Sequence, residues 1–161
     1  MTVSRRHLLE GLAGAAFGMP LLARAANPTT IRIAVAQPLV GQPPSFSGSS
    51  ASIAHAKGWI DEEFKRDGIT VDWSFFKGAG PAVNEAVSNQ QVDFALQGDL
   101  PSLIGRAAGL KTRLVAATGA RTPIYIGVPP DSPAKRIEDL RGKRVALFKG
   151  TNMHLPAVRL L

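Results

Sequence analysis

From residue 31 onward the chain alternates short apolar runs with stretches in which apolar residues recur every three or four positions. Such alternation predicts an α/β fold on a parallel sheet, because parallel neighbours need a crossover and a helix usually supplies it. Residues 31–36 form the first predicted strand. Ile53, Ala56, Ile60 and Phe64 then fall at helical spacing, Glu62 and Arg66 make an i, i+4 pair, and Gly68 supplies a stop. Residues 69–76 read as a second strand, with Ile69, Val71, Trp73 and Phe75 alternating. Pro81 opens the next helix, where its missing N–H costs nothing, and Ala82, Val83, Ala86 and Val87 form its buried stripe. Residues 92–97 are the third strand, followed by a helix that carries Pro101 in its first turn and stops at Gly109. Residues 113–118, 123–128 and 144–148 complete a set of six strands. A short helical turn at 137–140 and a last helix opening at 149–152 fill the intervals. Trp59 and Trp73 both fit buried faces of their elements.

The connections carry the candidate chemistry. Residues 37–52 form a Gly-, Pro- and Ser-rich loop, long for a strand-to-helix link and so a functional candidate. Three junctions share one construction, a strand end, a small residue and a helix start: Gly80-Pro81, Gly98-Asp99 and Gly150-Thr151. In parallel sheets such junctions lie on the carboxyl edge, where ligands bind, and helix starts offer unpaired N–H groups with partial positive charge. Together they favour a small oxyanion. Asp99 has two readings, an N-cap or an acceptor for a cationic or hydroxyl group. Ser49 and Ser50, at the end of the long loop, read equally as an N-cap and as ligand donors. His154 follows Thr151-Asn152 closely enough to meet the same ligand, whereas His55 reads as a surface or packing residue.

Composition narrows the classes. With no Cys in 161 residues, disulfides, thiolate metal sites and Cys nucleophiles are excluded. His55 and His154 have no second ligand at metal spacing, so no metal is expected. Gly78-Ala79-Gly80 lacks the third Gly of a dinucleotide fingerprint, Val83 standing there, and neither a phosphate loop nor a G-x-S-x-G elbow occurs. No cofactor is expected. Net charge is +7, and the excess is local, with Lys135, Arg136, Arg141, Lys143, Arg144 and Lys149 set against Glu138 and Asp139. That segment has no interleaved aromatics of the kind a nucleic-acid surface uses, and it reads as a solvated face with no nucleic-acid partner.

Residues 1–25 read as an export signal. Arg5-Arg6 precedes an uncharged run too short to anchor in a membrane, and Ala23-Arg24-Ala25 matches a peptidase site, so cleavage is expected after Ala25. Ser4 to Leu9 resembles the twin-arginine pattern, with Leu8 and Glu10 departing from it. Removing 25 residues of the 161 leaves 136, enough for one α/β domain. The chain ends at Leu161 inside an amphipathic pattern without a stop signal, and so reads as a fragment.

Several stretches resemble one family. Ala56-Lys57-Gly58-Trp59-Ile60-Asp61-Glu62-Glu63-Phe64, Val92-Asp93-Phe94 with Gly98-Asp99-Leu100-Pro101, Asp139-Leu140-Arg141-Gly142-Lys143-Arg144-Val145-Ala146 and Lys149-Gly150-Thr151-Asn152-Met153-His154 are similar to the periplasmic solute-binding proteins of sulfonate, taurine and nitrate importers, the aliphatic-sulfonate branch most of all. The resemblance implies a non-enzymatic, monomeric, periplasmic protein of the type II two-lobe periplasmic-binding-protein fold, which passes a small organic oxyanion to ABC permease subunits. It places lobe 1 at residues 26–128, and the crossover with the start of an incomplete lobe 2 at residues 129–161. The pocket candidates it implies are Gln37, Ser49, Ser50, Gly80, Pro81, Gly98, Asp99, Thr118, Thr151, Asn152 and His154. A chain holding half of such a cleft is expected to bind sulfonates poorly by itself. Alternatives of the same fold are a nitrate- or taurine-binding paralogue, a pyrimidine-precursor-synthase-like enzyme and a sensor domain.

Overall fold

A computed structural model describes residues 28–46, 49–121 and 123–161. The expected export signal lies outside the described residues. The centre of the fold is a three-stranded parallel sheet in the order β2-β1-β3, with β1 at Thr30–Val35, β2 at Thr70–Phe75 and β3 at Phe94–Leu96. Ile33 lies opposite Trp73 and Phe94, and Val35 opposite Phe75 and Leu96. The central strand is buried on both faces, as parallel strands usually are, with Ile33, Ala34 and Val35 all inside.

Helices cover the two faces. On one, α1 (Ser50–Ala56) brings His55 onto Trp73 and Phe75, at ring separations of 4.9 and 5.3 Å, while Phe46 packs 5.7 Å from Phe75. His55 is therefore a packing residue. On the other face α3 (Ala79–Ser88) sets Val83 and Ala86 against Ala34 and Val92, with Ala36, Phe76 and Val87 around them. This is the predicted stripe, and its helix packs in turn on α4 (Asp99–Ala107). Residues Ile137–Leu140 form a single 3-10 turn, as expected, and α5 spans His154–Leu160. Among the described residues, no helix is long and apolar enough to cross a membrane.

Helix ends follow local chemistry. After α4, Gly109 takes φ +99°, its N–H reaches Arg106 O at 3.1 Å, and the Leu110 N–H reaches Gly105 O at 3.0 Å. Those are the two bonds of a Schellman stop. The same pair closes α3, from Gln90 to Val87 O and from Gln91 to Ala86 O, although Gln90 must adopt φ +56° to do so. Beside it, Arg32 clips β1 to the strand that follows. Its guanidinium meets Asp93 Oδ1 at 2.7 Å and Oδ2 at 3.1 Å, and donates to Gln90 O at 2.7 Å. The Arg32 side-chain bonds, then the bond from its backbone N–H, hold the Asp93 carboxyl below its ordinary range.

Four expectations change. The predicted helix over Ile53 to Phe64 is two helices, α1 and α2 (Trp59–Lys65), separated at Gly58, whose φ of +67° no right-handed helix accommodates. Trp59 is 58% exposed rather than buried, because the break turns it away from the sheet. Glu62 and Arg66 form no ion pair; among the described residues the ion pairs are Arg32–Asp93 and Arg136–Glu138. The predicted strands at 113–118, 123–128 and 144–148 are irregular, and their apolar side chains, Leu114 and Val115 above all, stand exposed. Alternation of residue type marks a potential strand, but a strand also needs a hydrogen-bonded neighbour. Among the described residues these segments have none. Instead residues 124–128 and 144–148 line a largely apolar cavity of about 960 Å³.

Candidate functional site

The strand order places the site. From β1 the chain crosses first to β2 on one side and then to β3 on the other, so the connections leaving β1 and β3 diverge at the carboxyl edge. That divergence is the topological switch point, where parallel sheets open a crevice. Gln37 leaves the sheet there, one residue beyond Ala36, whose N–H still bonds Leu96 O at 2.9 Å, and its side chain is exposed.

At this edge the three predicted junctions meet. Gly80, buried in the first turn of α3, lies so close to the Pro101 ring of α4 that a Cβ would overlap it. Gly98 faces Asn152, and a Cβ there would fall 2.9 Å from Asn152 Cβ and 3.3 Å from its Oδ1. A Cβ on Gly150 would come within 3.2 Å of Pro81 Cγ. The turn at 149–152 thus lies against the starts of α3 and α4 together, although it is about seventy and fifty residues further along the chain than they are.

The individual side chains do different work from that expected. The N-cap of α4 is Gly98, not Asp99, which occupies the first helical position and accepts the Leu100 N–H at 2.7 Å with its own Oδ1. Pro81 is the third helical residue of α3 rather than the first, still within the turn whose N–H groups need no intrahelical partner. The third junction is not a helix start, since α5 begins only at His154, and Thr151 and Asn152 form the turn ahead of it. Thr151 is buried, and its hydroxyl donates to Phe148 O at 2.8 Å, so that proton is committed within the turn. His154 Nδ1 accepts the Gly150 N–H at 3.3 Å, the tautomer that carries its proton on Nε2, which has no partner among the described residues. Asn152 is exposed above Gly98.

Ser49 is the N-cap of α1 by backbone geometry, but its hydroxyl makes no cap bond, and its carbonyl accepts from Ser52 Oγ at 2.7 Å. Ser50 is exposed at the first helical position. Thr118 is also exposed, in an irregular segment, and among the described residues no hydrogen bond holds its hydroxyl at the sheet edge.

Two residues at the junction escaped the sequence reading. Gln97, which follows β3, donates from Nε2 to Asn84 Oδ1 at 3.0 Å, and Asn84 Nδ2 donates to Pro101 O at 2.8 Å. This relay ties the end of β3 to the middle of α3 and the start of α4. A polar residue closing an apolar strand at the carboxyl edge, with an Asn inside the buried stripe of the preceding helix, was the available signal. Among the described residues no cluster of three or more His, Asp or Glu side chains forms a metal-ligand set.

Comparison with known proteins agrees with this architecture. The family model described as "NMT1/THI5 like" matches residues 49–159. A protein of Bacillus subtilis (strain 168) named "Putative aliphatic sulfonates-binding protein" is 30% identical over 102 residues, covering 62% of this chain and 30% of that protein. One of the same name from Escherichia coli (strain K12) is 30% identical over 103 residues, 56% of this chain and 28% of its own length. The match therefore spans less than a third of each relative. No solved structure matches the chain. A parallel sheet with its junctions gathered at the carboxyl edge, together with a family match over more than two thirds of its length, shows that the chain belongs to the NMT1/THI5-like family and has its periplasmic-binding-protein-like α/β fold.

Proposed function

We propose that this chain supplies the helix-start side of the ligand site in the substrate-binding component of an ABC importer, and that its ligand is a small organic oxyanion, an aliphatic sulfonate. The observation that carries the reading is the convergence of the 149–152 turn on the starts of α3 and α4, where Gly98 touches Asn152 and Gly150 touches Pro81. A sulfonate spreads one charge over three oxygens, and N–H groups at helix starts satisfy such an anion without a buried counter-ion. His154, whose Nδ1 accepts the Gly150 N–H, belongs to the same turn and offers its Nε2. The names of the two relatives support binding rather than catalysis, and the sulfonate class.

In this reading residues 1–25 direct export to the periplasm and are removed after Ala25, residues 26–128 build one lobe, and residues 129–161 cross into a second. A monomeric protein would then present its ligand to the permease subunits. The test is uptake of radiolabelled alkanesulfonate by cells with and without the gene. Loss on deletion and recovery on reintroduction are expected, and undiminished uptake in the deletion strain would overturn the assignment.

A further inference from the structure

The loop that follows β1 is rooted on the carboxyl edge of the sheet twice. It departs at Ala36, whose N–H bonds Leu96 O, and it returns at Phe46, whose ring packs 5.7 Å from that of Phe75, the last residue of β2. Phe46 is buried, and His55 of α1 packs beside it at 5.6 Å, so the returning arm is fixed against the sheet. Between these roots the chain doubles back on itself. Val40 and Ser45 exchange both backbone bonds, at 2.8 and 2.9 Å, around a turn in which Gly41 takes φ +86° and Pro43 and Pro44 limit the backbone. A hairpin braced in this way has its shape before anything binds, which spares the ordering cost of closing over a ligand.

Leu39 and Val40 take no part in the anchor and stand exposed, Val40 at 59%. Leu39 lies two residues beyond Gln37 at the switch point, and two residues of chain reach at most about 7 Å. The hairpin returns onto the sheet face that carries Trp73 and Phe75, whereas α3 packs on the opposite face, against Ala34 with Phe76 beside it. The hairpin and the start of α3 therefore flank the carboxyl ends of β1 and β2 from opposite faces. One side offers N–H groups and the other two adjacent apolar side chains, and an organic oxyanion has a part for each.

Resting on the function proposed above, we infer that residues 38–46 form a braced flap, and that Leu39 and Val40 are specificity-determining residues which contact the hydrocarbon part of the ligand while the helix starts hold its charged head. Each methylene that the pair removes from water strengthens binding about fourfold.

The experiment measures uptake of ethanesulfonate and of butanesulfonate by a deletion strain carrying the wild-type gene, Leu39→Ser/Val40→Ser or Leu39→Ile/Val40→Ile, and compares the two half-saturation concentrations. Wild type should favour butanesulfonate, which is two methylenes longer, by roughly tenfold. The double Ser variant should bring that ratio to about twofold or less, whereas the double Ile variant, which keeps the apolar surface, should retain it. Both side chains are exposed, so neither variant removes core packing. Equal half-saturation concentrations in the wild type would overturn the inference. So would a preference that survives in the double Ser variant, since the hydrocarbon part then lies elsewhere, or a proportional loss for both compounds, which marks a structural role for the hairpin. If deletion of the gene changes neither uptake, the transport reading itself fails. Gene-dependent uptake that ignores chain length overturns only the flap.

Discussion

Gly80→Ala tests the packing that brings the helix starts together. Two effects oppose each other. Ala is favoured over Gly inside a helix by up to ~1 kcal/mol, and the gain is smaller in a first turn. Against it, the new methyl would overlap Cβ and Cγ of Pro101, a buried ring that cannot rotate away. The start of α4 would have to retreat, and the bond from Asn84 Nδ2 to Pro101 O resists that movement. Overpacking of this kind costs roughly 1–3 kcal/mol, so a net loss of about 1–2 kcal/mol is expected. Urea unfolding followed by circular dichroism would read this as a midpoint lowered by about 1 M, given a slope of ~1–3 kcal/mol per M for small domains. Pro101→Gly removes both overlapped atoms, so the pair should be less destabilised than the sum of the two single changes. A Gly80→Ala variant as stable as wild type, or strict additivity with Pro101→Gly, would refute the contact.

Three further outcomes follow from other parts of the fold. Val83 is fully buried between Ala34, Ala86 and Val92, and Val83→Ala removes two methyl groups from that contact; a loss of about 2–3 kcal/mol in the same urea experiment is expected. Gln90→Gly should stabilise by about 0.5–1 kcal/mol, because Gly adopts the +56° φ of this helix stop at no steric cost and keeps the backbone bonds; an unchanged or lower midpoint would contradict it. The Asp93 carboxyl is held below its ordinary range by Arg32, so the pair's contribution is complete above the unfolded carboxyl pKa of about 3.9 and disappears as pH falls through the lower folded value. Asp93→Asn should therefore lose stability at neutral pH and show a shallower decline below pH 4 than wild type, a difference that 1 M salt diminishes because both side chains are partly exposed.

What could be read from the sequence was what local chemistry controls. Gly68 and Gly109 end their helices because Gly takes a left-handed φ freely, and any Gly after a periodic stretch advertises that role. Gln90 does the same work invisibly, since nothing local recommends Gln for φ +56° and the surrounding packing imposes it. The alternation in residues 69–76 became β2 because β1 runs beside it. The comparable patterns at 113–118, 123–128 and 144–148 stayed irregular without such a neighbour. Pairing is a property of two segments, and periodicity describes one. At the site, Gly80 and Gly98 marked two helix starts while Gly150 marked only a turn, and the reason the first two are small lies elsewhere in the chain: Pro101 for Gly80 and Asn152 for Gly98.

That distinction bears on how the site would work. Anion binding at a sheet edge needs N–H groups that face space, and the turn at 149–152 lies over two helix starts at once, against Pro81 of α3 and Gly98 of α4. Thr151 ties the turn to Phe148 through its hydroxyl, and His154 ties it to Gly150 through Nδ1, so its shape is held from within. The Gln97–Asn84–Pro101 relay fixes the neighbouring wall, because it joins the end of β3 to α3 and α4 through two side chains and the Pro101 carbonyl. A hydrogen-bonded wall of this kind cannot relax around an unmet polar atom. The side-chain oxygen of Gln97, buried and without a partner among the described residues, is such an atom, and it belongs to the wall.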